Sequence, residues 1–141
     1  MRRLLALLIA AVPLQAGAQV VGGCDGWIND IRNVDWDQSS RTFADGAIRL
    51  VQIDTAEPAA AAMHLMVLFP HPEDPFQDCR IVSAAEGVGF AALSLDRATA
   101  EYDPARGLTV TVPGLSYEDP QGVPLLLPVT VDQAAGTVSV P

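Results

Sequence analysis

The stretch Thr99-Ala100-Glu101-Tyr102-Asp103-Pro104-Ala105-Arg106-Gly107-Leu108-Thr109-Val110-Thr111-Val112 reads as strand, turn, strand. Leu108, Val110 and Val112 fall on one face and Thr109 and Thr111 on the other, a period of two carried by β-branched residues. Pro104 presets the first turn dihedral, and Gly107 supplies the left-handed position that closes a bulged turn. The same punctuation recurs outward in both directions. Asp45-Gly46 separates Thr42-Phe43 from Ile48-Arg49-Leu50-Val51, the strongest short hairpin signal. Ala85-Glu86-Gly87 separates Arg80-Ile81-Val82-Ser83 from Val88-Gly89-Phe90. Asp132-Gln133-Ala134-Ala135-Gly136 precedes Thr137-Val138-Ser139-Val140. This recurrence is turn chemistry and not a sequence repeat.

The expected fold class is therefore all-β: a single antiparallel β-meander domain of about eight or nine strands, closed as a sandwich or as an up-and-down barrel. Met63 to Phe69 is apolar on both faces, so it belongs in the middle of a sheet or between two layers. Leu125 to Val131 is accompanied by Pro124 and Pro128, and a missing donor belongs at an edge or bulge. Ala56 to Ala62 forms one helical turn at most. Two stretches break the strand pattern. In residues 24–40, Trp27, Ile31 and Val34 fall at i, i+4 and i+7. That reads as a short helical face capped by Asp25, or as a loop pinned by Cys24. Pro70 to Asp78, with three prolines and three acids, reads as a long loop before Cys79.

The N-terminus has the layout of a secretory signal peptide: Arg2-Arg3, an apolar run from Leu4 to Leu14, then Ala16-Gly17-Ala18. The apolar run is too short for a transmembrane span, which needs about 20 residues. The arginine pair lacks the flanking residues of a twin-arginine signal. Cleavage after Ala18 leaves one domain, 19–141, long enough to bury a core. Val21-Gly22-Gly23-Cys24 also reads as a lipobox. Its distance from the apolar run counts against a lipid anchor on Cys24, and so does the odd thiol that lipidation would leave at Cys79. With both cysteines exported, Cys24 and Cys79 form a disulfide staple worth about 4 kcal/mol in the chain-entropy model. There is no C-x-x-C for redox work.

Formal charge is −9, from 17 acidic and 8 basic residues, and every basic residue is arginine. Such a chain is repelled by nucleic acid and by anionic lipid, and neither is an expected partner. A cationic partner is allowed.

The motifs Arg41-Thr42-Phe43-Ala44-Asp45-Gly46, Thr55-Ala56-Glu57-Pro58-Ala59 and Tyr102-Asp103-Pro104-Ala105-Arg106-Gly107-Leu108 resemble those of small exported alphaproteobacterial proteins of unknown function. The resemblance covers most of the chain after the signal peptide. It implies no activity and no site residues.

Candidate sites are few. His71, Glu73, Asp74 and Asp78 share one stretch, but the D-x-D-x-D-G pattern of a calcium loop is missing, and zinc would want more than His64 and His71. A solvated acidic loop is the expectation, with no metal and no cofactor. Asp35-Trp36-Asp37 offers a carboxylate pair and an aromatic ring, the parts of a glycoside hydrolase but without its geometry. His64 lies in an apolar strand on the face shared with Met66 and Leu68. There it is a hydrogen-bonded core or interface histidine, with a Ser–His catalytic arrangement as the alternative. No G-x-S-x-G, Walker loop, dinucleotide fingerprint or H-E-x-x-H occurs. Trp27 and Trp36 either pack on the domain's own sheet or form a binding surface. The functional expectation is a periplasmic or secreted, non-enzymatic β domain that binds another protein, an envelope protein among them, or stays associated with envelope components. A small apolar-ligand carrier built as a closed barrel is the alternative, and a carboxylate-based hydrolase the third.

Overall fold

The computed structural model describes residues 19–37, 40–57, 61–118 and 121–141. The expected signal peptide, 1–18, lies outside them. Ten strands are named among these residues: β1 Val20–Gly22, β2 Ser40–Phe43, β3 Ile48–Asp54, β4 Met63–Pro70, β5 Gln77–Ser83, β6 Ala92–Leu93, β7 Thr99–Asp103, β8 Gly107–Leu115, β9 Pro124–Asp132 and β10 Thr137–Ser139. The count exceeds the expected eight or nine because β1 and β6 are three- and two-residue edge pieces without alternation enough to register in sequence.

All pairings are antiparallel. One sheet has the order β1-β5-β4-β3-β2, a meander from β2 to β5 with β1 added on the far edge. In the other, β10, β9 and β8 run in order, and β6 and β7 share the remaining edge of β8. Leu50, Leu65, Val67, Phe69 and Val82 of the first sheet and Val110, Val112, Leu127, Val129 and Val131 of the second belong to one buried cluster. The ladders thus form two facing sheets around a common core. Each of these apolar side chains contributes about 1.5–3 kcal/mol by leaving water.

Turn residues set the hairpins. Ala85 and Val88 exchange backbone hydrogen bonds of 3.1 and 3.0 Å around Glu86-Gly87, but Val88-Gly89-Phe90 forms no strand paired back onto β5, so the expected strand after this turn is absent. In the β7–β8 turn the Ala105 amide donates to Asp103 Oδ1 at 2.8 Å, and Gly107 has φ +99°. A Cβ on Gly107 would lie 2.2 Å from the Val131 carbonyl oxygen, so glycine is required there by two separate constraints. Phe90 pairs with Met63 through hydrogen bonds of 2.7 and 3.1 Å and leads the chain from the first sheet to the second. Arg41 on β2 makes a second link between sheets. Its Nη1 donates to the carbonyls of Leu95 (3.0 Å), Asp96 (3.2 Å) and Ala98, around the 3-10 turn Leu95–Arg97.

Three further expectations need correction. The β4–β5 loop spans only 71–76, because strand pairing continues outward through Phe69 with Asp78 and Pro70 with Gln77. β9 is flanked by β8 and β10 rather than being an edge strand throughout. β10 reaches only Thr130 to Asp132, however, so the half bearing Pro124 and Pro128 is an edge. Trp27, Ile31 and Val34 form no helical face. The segment makes two separate 3-10 turns, Trp27–Asn29 and Ile31–Asn33, and Asp30 between them is extended (φ −58°, ψ 137°). Asp25 caps neither turn; Gly26 precedes the first, and Asp30 caps the second by accepting from the Arg32 amide. Residues 58–60 lie outside the description, so the Ala56–Ala62 turn is described only at its ends.

Candidate functional site: a disulfide-pinned strap and its groove

β1 lies on one edge of the first sheet and β2 on the other, so the chain must cross that sheet between them. Its face is decided by alternation. Leu65, Val67 and Phe69 of β4 point into the core, which turns His64, Met66 and Leu68 outward. Cys79 pairs with Leu68 and is disulfide-bonded to Cys24, 55 positions away in sequence. The crossing therefore runs over the outer face, as a strap from Cys24 to Val34, which bridges to Ile53 on β3. The outer face beneath is buried: Ile53, Ile81, His64 and Ser83 are all at most 5% exposed. This is why β4 is apolar on both sides.

The strap is held by side chain to backbone bonds that compete with helix formation. The Asn29 amide donates to the Cys24 carbonyl, and Asn33 Nδ2 to the carbonyls of Trp27 (3.0 Å) and Ile28 (3.2 Å). Arg32 donates twice from its guanidinium to Asp30, at 2.9 and 2.8 Å. These hydrogen bonds hold the Asp30 carboxyl well below the usual carboxylate range.

Trp27, Ile31 and Trp36 are 59%, 66% and 68% exposed. Both indoles are thus more than half exposed to solvent. Beside Trp27 a groove of about 430 Å³ opens between the strap and the β1–β5 side of the first sheet. Val20 and Ile81 give it apolar surface beside the Ser83 hydroxyl, and Asp25 and Glu86 also line it. On that side His64 Nδ1 and Ser83 Oγ are 2.8 Å apart. Burial pushes the His64 imidazole below its ordinary pKa, which fits the hydrogen-bonded interface histidine expected from the strand.

The other candidates disperse. Asp35 accepts from Gln52 Nε2 at 3.0 Å and from the Asp37 amide at 3.2 Å, so its carboxylate organises the chain end of the strap. His71 Nδ1 accepts from the amides of Glu73 (3.2 Å) and Asp74 (3.0 Å), folding that loop on itself, while Asp78 sits on β5. Among the described residues no three His, Cys, Asp or Glu side chains converge as a metal site. Among them, too, no helix is long and apolar enough to cross a membrane.

The residues that sequence reading missed are Ser83, Glu86 and the glycines around the groove. Each carries an ordinary local signal, strand end or turn, and only the crossing of the strap brings them to Trp27. No protein-family model matches the chain, and no curated protein or solved structure matches it.

Proposed function

We propose that this chain is an exported, non-enzymatic β domain that binds a basic protein of the cell envelope through its strap. The observation that carries the reading is the exposure of Trp27, Ile31 and Trp36 on one covalently pinned segment. Large apolar side chains are costly to leave in water, and tryptophan is the residue most enriched at binding hot spots. A segment tied down by a disulfide and four side chain to backbone bonds presents them with little ordering cost on binding. The charge of −9 favours a cationic partner. A disulfide fits an oxidising compartment, periplasmic or extracellular. The carrier reading asks for a closed barrel, whereas these ladders form two sheets.

The test is capture from envelope extract by wild type and by Trp36→Ala, both checked for folding. A basic protein retained by wild type, lost by the folded variant and released by raised salt is the expected result. Equal retention by the variant would overturn the reading.

A further inference from the structure

We infer that the groove beside Trp27 seats one cationic side chain of that partner, an arginine or a lysine. The inference rests on the protein-binding reading and names the chemistry of one contact. Two carboxylates from unrelated parts of the chain meet at this groove: Asp25 of the strap and Glu86 of the turn after β5. Among the described residues neither carries a hydrogen bond or ion pair. The chain supplies no cation of its own here. It has no lysine, and none of its arginines lines the groove. Arg32 is committed to Asp30, Arg41 to three carbonyls and Arg80 to the Cys79 carbonyl.

The remaining surfaces suit the rest of such a side chain. Val20 and Ile81 offer apolar ground for a methylene stem. The exposed ring of Trp27 offers a face to the charged head. The volume of about 430 Å³ admits a long side chain and not a folded element. Room is kept by small residues: a Cβ built on Gly22, Gly26 or Gly87 meets nothing within 4 Å. An anionic ligand would face both carboxylates, and a neutral one would leave both without a counter-charge.

The probe is N-acetyl-arginine amide, with N-acetyl-citrulline amide as its neutral isostere, titrated against the disulfide-bonded protein. The readout is the Trp27 indole N–H resonance. The arginine compound should shift it saturably, with binding weakening as salt rises. Citrulline should bind at least about tenfold more weakly. Glu86→Gln should weaken arginine binding by about fivefold, the loss of one exposed charge contact. Gly26→Leu should weaken it too: Gly26 lines the groove, a Cβ there meets nothing within 4 Å, and φ −96° and ψ 177° are open to leucine. Equal binding of citrulline would overturn the inference. So would arginine binding that Glu86→Gln leaves unchanged, a result that stands whatever the Gly26 variant does. Trp36-dependent capture of a protein without any arginine shift would sink the groove alone. A saturable arginine shift with no Trp36-dependent capture would sink the protein-binding reading alone.

Discussion

At the scale of single residues, glycine and histidine give the clearest consequences. Gly107 and Gly87 both have positive φ, +99° and +69°, but their surroundings differ. A side chain on Gly107 meets the Val131 backbone, whereas one on Gly87 meets open space. Gly107→Val should therefore cost about 2–4 kcal/mol, combining strain and collision, and Gly87→Ala about 1 kcal/mol from strain alone. Urea melts of the two variants would measure the difference, and equal costs would mean the collision is absent. His64 predicts a pH dependence. Its pKa is lowered in the folded state, so below about pH 6.5 the unfolded chain takes up a proton there that the folded chain refuses. The contribution is fully present above that pH and is lost as pH falls towards the folded pKa. Melts at pH 7.5 and 5.5 should show wild type losing more stability than His64→Gln. Parallel losses would assign the effect to other groups.

At the scale of elements, the two sheets are joined by specific devices as well as by apolar packing. Arg41 reaches from the edge strand β2 to the carbonyls around Leu95–Arg97 and lies 5.1 Å from the Phe43 ring. All three carbonyls are served by one nitrogen, Nη1, and a lysine ammonium sits one bond nearer Cα and falls short of that position. Arg41→Ala should cost about 1.5–3 kcal/mol, and Arg41→Lys should recover only part of it. Full recovery by lysine would show that charge alone matters there. Amide exchange should also quicken first at residues 95–98 in the alanine variant. β8 and β9 have a gentler device on their outer face, where the hydroxyls of Thr109 and Thr130 lie 2.8 Å apart across the ladder.

At the scale of the whole molecule, the domain has two apolar layers of unequal strength. The core between the sheets is closed by ladders and by Phe90, whereas the layer under the strap is closed by one disulfide and short-range bonds. Replacing both cysteines by serine should cost about 4 kcal/mol for a 55-residue separation. The loss should be uneven. Exchange protection at the strap amides of Asn33 and Asp35, bonded to the Asp30 and Gln52 carbonyls, should fall well before that at Leu50, Val67 and Val110. Uniform loss would mean that the strap and the core unfold as one unit. Intact mass of protein from the envelope should show a chain starting at Gln19 and two hydrogens lighter than its reduced form. A diacylglycerol adduct on Cys24 would contradict the disulfide and place the protein on a membrane.

The all-β class, the β2–β3 and β9–β10 hairpins and the β7–β8 turn were legible from residues alone, because glycine, proline and aspartate act on their own dihedrals and need no distant partner. The apolar doubling of Met63 to Phe69 likewise announced a strand covered on both faces. What covered it was not legible. Whether two meanders face one another or close into a ring depends on which strand edges meet, and the alternation pattern is the same in both. The strap depended on long-range topology in the same way. Asn and Asp in residues 24–37 left helix and loop open, and the crossing followed only from β1 and β2 lying on opposite edges with Cys79 facing outward. Trp27 and Trp36 are equally apolar buried or exposed, so their burial was decided by the three-dimensional structure. Ser83 and Glu86 became part of a candidate site for the same physical reason: side chains distant in sequence are brought together by packing, which no local preference encodes.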